Sequence, residues 1–309
     1  MKKTALLFAG QGSQGVGMGR DLCEKFEVCR KLFARANEVL GHDITKICFE
    51  GPEDVLTKTD NAQPGIFLTS LTCLEALKTQ ISDLKFEAAA GLSLGEFTAL
   101  TASGAVSFDD GLRTVQARGR FMQDACDAAN GGMASIIGIE DTALAEVCRE
   151  ADVDIANINC PGQIVISGDK DKITKAVELA KIKGARRAIP LVVAGAYHSR
   201  LMESAKVKVA GTLSKLQMQT PLVPVVSNVT ARPAATVGET KDLLVRQVTS
   251  PVRWSESMQW LVAQGFTCFI ELGPGNVLSG LMKRINKDVE MFSVGDCASL
   301  DATVAQLRG

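Results

Sequence analysis

Two residue types in this chain could together break and remake an acyl bond: a serine framed by glycines, and a histidine far along the sequence. Ser93 stands in Ala89-Ala90-Gly91-Leu92-Ser93-Leu94-Gly95-Glu96. Gly-x-Ser-x-Gly between a strand-like and a helix-like segment has the pattern of a nucleophile elbow. There a sharp turn leaves the hydroxyl exposed at the start of a helix. Glycines are needed because side chains flanking such a turn would clash. Alone, the pentapeptide also reads as an ordinary tight turn in a chain with 28 glycines; its structural context decides between the two.

A serine hydroxyl is a poor nucleophile at neutral pH and needs a base within hydrogen-bond reach. Imidazole suits the task because its pKa lies near the operating pH. The chain has 2 histidines, His42 and His198. His42, in Leu40-Gly41-His42-Asp43, reads as a surface residue at a helix C-terminus, where cations are favoured. His198, in Val193-Ala194-Gly195-Ala196-Tyr197-His198-Ser199, follows a strand-like segment, and ligand sites of α/β domains lie at strand ends. Elimination makes His198 the candidate base, with a structural histidine as the other reading.

The elements that must position these groups follow from the apolar pattern. Residues 4–9 read as a short buried strand, and residues 86–90 as the strand before the turn. Helical spacing marks 21–40, 63–77, 95–102 and 109–128, with Pro64 near a helix start. The pattern then changes. Strands are expected at 133–139, 153–158, 163–167 and 188–193, with helices at 141–150 and 170–183. The resulting β-α-β-β-α-β order is that of a ferredoxin-like unit. Later strands at 223–227, 267–271 and 290–294 alternate with helices, which implies a mostly parallel sheet. The expected architecture is therefore an α/β domain of residues 1–129 and 195–309, interrupted by a ferredoxin-like subdomain at 130–194.

Composition narrows the function. The 309 residues suffice for one large domain with an insertion. Aromatics are 5% against 46% apolar residues, so Ala, Val, Leu and Ile must fill the core. Net charge is −1, from 34 basic and 35 acidic residues, which argues against nucleic acid or an anionic membrane as the main partner. Nine scattered cysteines without Cys-x-x-Cys suit buried thiols of a reducing cytoplasm better than a disulfide framework. Two histidines, neither near other ligand types, make a zinc site improbable. The apolar start of the chain is too short for a signal peptide, and no run could span a bilayer. Gly10-Gln11-Gly12-Ser13-Gln14-Gly15 spells a dinucleotide fingerprint, but a helix is expected where the acidic ribose ligand should stand. Lys181, Lys183, Arg186 and Arg187 read first as a solvated face, and otherwise as a surface for an acidic partner.

Seven segments, in order, give the chain a resemblance. They are Phe8-Ala9-Gly10-Gln11-Gly12-Ser13-Gln14, the elbow, Gln116-Ala117-Arg118-Gly119-Arg120-Phe121-Met122-Gln123, Asn159-Cys160-Pro161-Gly162-Gln163, Tyr197-His198-Ser199, Gln247-Val248-Thr249-Ser250-Pro251-Val252-Arg253-Trp254 and Glu271-Leu272-Gly273-Pro274-Gly275. Over essentially its whole length the chain resembles malonyl-CoA:acyl-carrier-protein transacylases of fatty acid synthesis and the related acyltransferase domains of polyketide synthases. The resemblance implies a hydrolase-like α/β domain with a ferredoxin-like subdomain, and a ping-pong reaction without metal or redox cofactor. Malonyl-CoA and acyl carrier protein are the implied partners of a cytoplasmic monomer; work inside an organelle after loss of a targeting peptide is the other implied setting.

The resemblance also implies roles. Ser93 carries the acyl group, and His198 is base and then acid. The Gln247 backbone carbonyl orients His198, and the backbone N–H groups of Gln11 and Leu94 form an oxyanion hole. Arg118, 25 residues after Ser93, pairs with the malonyl carboxylate. A planar guanidinium suits that task, since it meets a carboxylate with two parallel hydrogen bonds and stays charged when desolvated. By sequence alone Arg118 is equally one of several arginines on a helix face, beside Arg113 and Arg120. Leu92 departs from the family, where histidine is common before the nucleophile. Leu94 and Tyr197 match the malonyl-selective pattern. Three alternatives stay open: a free-standing polyketide-pathway acyltransferase, a hydrolase with water as acceptor, and a non-catalytic carrier-protein-binding subunit.

Overall fold

Among the described residues nine strands organise the molecule: β1 (Lys3–Phe8), β2 (Ala88–Gly91), β3 (Gly131–Ile137), β4 (Asp154–Cys160), β5 (Gln163–Asp169), β6 (Arg187–Pro190), β7 (Val225–Val226), β8 (Phe266–Leu272) and β9 (Glu290–Val294). The computed structural model describes residues 2–308; Met1 and Gly309, the outer ends of the expected 1–129 and 195–309 segments, lie outside the described residues. Five strands form a sheet in the order β7-β2-β1-β8-β9, paired in parallel throughout. Both faces are covered, which is why these strands are continuous apolar runs rather than alternating ones. Alternate residues of β1 serve opposite layers: Leu6 and Phe8 join one core cluster, Ala5 and Leu7 the other. In register, Phe8 faces Gly91 on one side and Leu272 on the other. The segments after β1, β2 and β8 therefore leave the same edge of the sheet, where α/β proteins place their ligand sites.

The other four strands form an antiparallel sheet in the order β4-β5-β3-β6. With the helices Asp141–Ala151 and Lys170–Ile182 it has the ferredoxin-like order, and its own core includes Ile136, Ile166, Leu144 and Ile173. The two sheets are stitched together outside the chain crossings. Asn157 of β4 forms a parallel bridge with Val252. There Ile158 N–H donates to the Val252 carbonyl at 2.9 Å, and Val252 N–H donates to the Ala156 carbonyl at 2.8 Å.

Several boundaries differ from the sequence pattern. The single helix expected over 21–40 is two, Arg20–Lys25 and Glu27–Leu40, because Phe26 is extended at φ −119°. The helix expected from Gln63 begins at Thr59, so Pro64 lies inside it. There proline forfeits one helical hydrogen bond, which burial of most of the helix outweighs. Strand β6 stops at Pro190, short of residue 193, and Val192 is fully exposed where its β-branched neighbours suggested pairing. The strand expected over 223–227 is paired only at Val225–Val226. The nine cysteines are unpaired, and burial pushes the Cys48 thiol up to about 12. Among the described residues no helix is long and apolar enough to cross a membrane.

Candidate active site

The turn after β2 is built from what glycine lacks. A Cβ on Gly91 would lie 1.9 Å from the Gly95 carbonyl carbon, and one on Gly95 would lie 2.2 Å from the Phe8 carbonyl oxygen. The helix Leu94–Ala102 thus starts hard against β1 and β2, and Ser93 is forced to φ 54°, ψ −102°. That conformation is costly for a residue with a side chain and persists only when its surroundings over-determine it. They do so here. Ser93 N–H donates to Asn228 Oδ1 at 2.6 Å, Asn228 Nδ2 donates to the Gly91 carbonyl at 2.8 Å, and Gln247 Nε2 donates to the Ser93 carbonyl at 3.0 Å.

The structure brings His198 and Ser93 together. His198 Nε2 lies 2.8 Å from Ser93 Oγ, and Nδ1 lies 2.8 Å from the Gln247 carbonyl oxygen. A carbonyl can only accept, so Nδ1 carries the proton and Nε2 presents its lone pair to the serine hydroxyl. Burial, reinforced by the charge of Arg118, pushes the His198 pKa down to about 4. The ring is therefore neutral, and competent as a base, at neutral pH. His42 takes no part in these hydrogen bonds; it sits after the Glu27–Leu40 helix, half-buried rather than on the surface.

Arg118 does not lie on a solvated face. It is 1% exposed, on the inward side of the helix Phe108–Asp127. Gly119 lets that helix approach closely, since a Cβ there would lie 2.6 Å from the Thr59 carbonyl oxygen. The guanidinium donates from Nη2 to Ser93 Oγ and to Gln247 Oε1, both at 2.9 Å, and from Nη1 to Gln63 Oε1 at 2.8 Å. It also lies 5.3 Å from the centroid of the Phe97 ring, a favourable cation–π separation. Its Nε is buried without a partner. Desolvation lowers its pKa to about 10, partly opposed by Glu96, so it stays cationic near neutrality. The Ser93 hydroxyl thus has beside it a buried cation with one unused donor.

The backbone N–H groups of Gln11 and Leu94 find no acceptor among the described residues. Leu94 N–H opens the helix after Ser93, where a free donor can meet an oxyanion. Tyr197 is anchored rather than free. Its hydroxyl lies 2.6 Å from Thr59 Oγ1 and accepts from Gln11 Nε2 at 3.2 Å. A cavity of about 250 Å³ opens above the serine, lined by Gln11, Leu92, Ser93 and His198 from the large sheet's side and Met133 and Asn157 from the small one.

Three residues with a place at this site were missed by sequence reasoning. Asn228 clamps the elbow, Gln63 holds Arg118, and Glu96, inside the quoted motif, accepts from Gln247 Nε2 at 2.7 Å. Asn228 is 135 residues from Ser93, and no local spacing signals such a partner. For Glu96 the signal was its burial-prone position on an apolar helix start.

Comparison with known proteins shows which family the chain resembles. The family model described as acyl transferase domain matches residues 5–301. A malonyl CoA-acyl carrier protein transacylase of Bacillus subtilis is 44% identical, over 100% of this chain and 98% of its own. The crystal structure of an acyl-carrier-protein-S-malonyltransferase from Bartonella henselae superposes with a TM-score of 0.94 at 38% identity, covering 99% of this chain and 100% of that one. A malonyl-transacylase in complex with its holo type II PKS acyl-carrier protein superposes with a TM-score of 0.94 at 36% identity, covering 98% of this chain and 99% of that one. With a match from one end of the sequence nearly to the other, the kinship is settled: this chain belongs to the acyl transferase domain family.

Proposed function

We propose that the protein moves a malonyl group from malonyl-CoA to the phosphopantetheine thiol of acyl carrier protein, through a malonyl ester on Ser93, in the service of fatty acid synthesis. The observation that carries this reading is the placement of the buried, incompletely paired Arg118 guanidinium 2.9 Å from Ser93 Oγ. A charged carboxylate at the far end of a short acyl group suits that donor. An acetyl group would leave it unpaired, which disfavours the uncharged donor.

The steps follow from the hydrogen bonds. Ser93 Oγ forms a bond to the thioester carbonyl carbon while its proton passes to His198 Nε2. The N–H groups of Gln11 and Leu94 receive the charge that develops on the carbonyl oxygen. The C–S bond then breaks, and the proton on Nε2 goes to the departing CoA sulfur. The carrier thiol reverses the sequence: it gives its proton to His198, bonds to the malonyl carbonyl carbon and releases Ser93 Oγ, which recovers the proton. The Gln247 carbonyl holds the imidazole throughout, so no triad carboxylate is required.

In this reading residues 1–129 and 195–309 are the catalytic unit, since every group hydrogen-bonded to Ser93 or His198 comes from them. Residues 130–194 form the subdomain that walls the cavity. One chain supplies the whole site, which suits a monomer, and nine unpaired thiols suit the cytoplasm. The likeness to a malonyl-transacylase with a type II PKS carrier supports a second reading, in which the acceptor serves polyketide synthesis.

Intact mass after brief incubation with malonyl-CoA tests the first half-reaction. A malonyl adduct on the native protein and none on Ser93→Ala is the expected result; CoA release without an adduct would instead indicate hydrolysis. Offering fatty-acid and polyketide carrier proteins side by side then decides the acceptor.

A further inference from the structure

A second carboxyl lies behind the nucleophile, and the acyl-transfer steps leave it unused. Glu96 is 2% exposed. Its Oε2 accepts from Asn228 N–H at 3.0 Å and from Gln247 Nε2 at 2.7 Å. The Gln247 amide is shared, because its Oε1 accepts from Arg118 Nη2 at 2.9 Å. One neutral amide therefore links a buried cation to a buried carboxyl.

Two buried charges of opposite sign balance, and a third does not. While Glu96 is ionised, Arg118 is compensated before any substrate arrives, and a malonyl carboxylate would enter as a surplus buried anion. When Glu96 is neutral, the guanidinium takes the incoming carboxylate as its counterion. We propose that Glu96 is a specificity-determining residue: its neutral carboxyl admits an acyl group that carries a carboxylate to Arg118, and its ionised form opposes one. Where Glu96 starts ionised, one proton moves from solvent to its carboxylate as each malonyl carboxylate seats. This deepens the malonyl reading above and rests on it.

The surroundings of Glu96 suit that exchange. Arg118, from the helix Phe108–Asp127, is the charged group that faces it; Gln247, the Ser227 hydroxyl and Asn228 N–H are neutral donors. His198 is already neutral in this range. Burial raises the Glu96 pKa to about 7 against those four stabilising partners, so both protonation states are populated near neutrality. A separate cavity of about 40 Å³, lined by Glu96, Ser227, Pro224, Pro233 and Thr240, lies behind the elbow. It has room for a water molecule beside the carboxyl, on the side away from the acyl cavity.

The test compares malonyl-CoA with acetyl-CoA across pH for the native enzyme and Glu96→Gln. For the native enzyme, kcat/KM with malonyl-CoA should fall about tenfold per pH unit above about 7, while that with acetyl-CoA does not follow it. Glu96→Gln keeps an oxygen for the Asn228 and Gln247 donors and stays neutral. It should hold kcat/KM for malonyl-CoA level through that range, through KM more than kcat, and widen the malonyl-to-acetyl preference. Identical profiles for the two proteins would overturn the proposal. Should Glu96→Gln not fold, calorimetry of Ser93→Ala in two buffers of different ionisation enthalpy, slightly above pH 7, gives the same answer. Proton uptake with malonyl-CoA and none with acetyl-CoA is expected; equal uptake for both overturns it. A native enzyme that forms no malonyl adduct removes the malonyl reading and this one together, whereas an adduct with a preference indifferent to Glu96 removes this one alone.

Discussion

Ser93 Oγ accepts from Arg118 while donating to His198, so the cation proposed to receive the malonyl carboxylate also polarises the proposed nucleophile. Each consequence can be measured singly. As the proposed base, His198 would act when neutral and not when protonated, and its pKa is held at about 4. The acid limb of kcat/KM should therefore lie near pH 4 rather than the ~6.5 of free imidazole; a limb at the ordinary value would contradict the burial argument. His198→Ala should slow acylation by roughly 10²–10⁴, while His42→Ala leaves it unchanged. Arg118→Ala should lower kcat/KM for malonyl-CoA by about 10² and narrow the gap to acetyl-CoA. Arg118→Lys should not restore it, because an ammonium cannot present two parallel donors. Kinetics with both thioesters on each variant check these outcomes.

At the scale of elements, the elbow is a contact between backbones that leaves no room for a methyl group. Gly95→Ala would set its Cβ 2.2 Å from the Phe8 carbonyl oxygen. It should cost about 3 kcal/mol or more and misplace Ser93. By contrast, a Cβ on Gly211, inside the helix Glu203–Lys215, meets nothing within 4 Å. Gly211→Ala should therefore stabilise by about 0.5–1 kcal/mol through helix propensity. Urea melts of the two variants test both statements. The contrast also explains what was legible. Gly91, Ser93 and Gly95 carry their signal within five consecutive residues, and the order of strands and helices carries its signal in periodicity. The run Val192-Val193 misled because its β-branched side chains suit a strand, whereas the chain there has to leave β6 and turn toward His198. Arg118 was legible only by resemblance: a helix face shows its spacing in the sequence, but which face turns inward depends on the Thr59–Gln80 helix packed against it. Asn228 and Gln63 were illegible because their partners are distant in the chain.

For the whole molecule, Glu96 and His198 pull stability in opposite directions. A His198 pKa lowered to about 4 means the unfolded chain binds the extra proton between about 4 and 6.5, so stability rises with pH there. A Glu96 pKa raised to about 7 means the folded chain binds it between about 4.5 and 7, so stability falls with pH there. Their contributions oppose each other through mildly acidic conditions. Glu96→Gln removes one of them, and its stability relative to the native protein should climb by about 1.4 kcal/mol per pH unit from about 4.5 to 7. Urea midpoints at several pH values read that slope directly; parallel curves would contradict it. The Val252 bridge to β4 acts on the same scale. It lies a few residues beyond Gln247, whose carbonyl aims the imidazole. Prising the small sheet from the large one would break two main-chain hydrogen bonds and tug on the segment that holds the base. Access and competence are thus tied: opening the cleft by parting the two sheets would loosen the very segment whose carbonyl holds the imidazole.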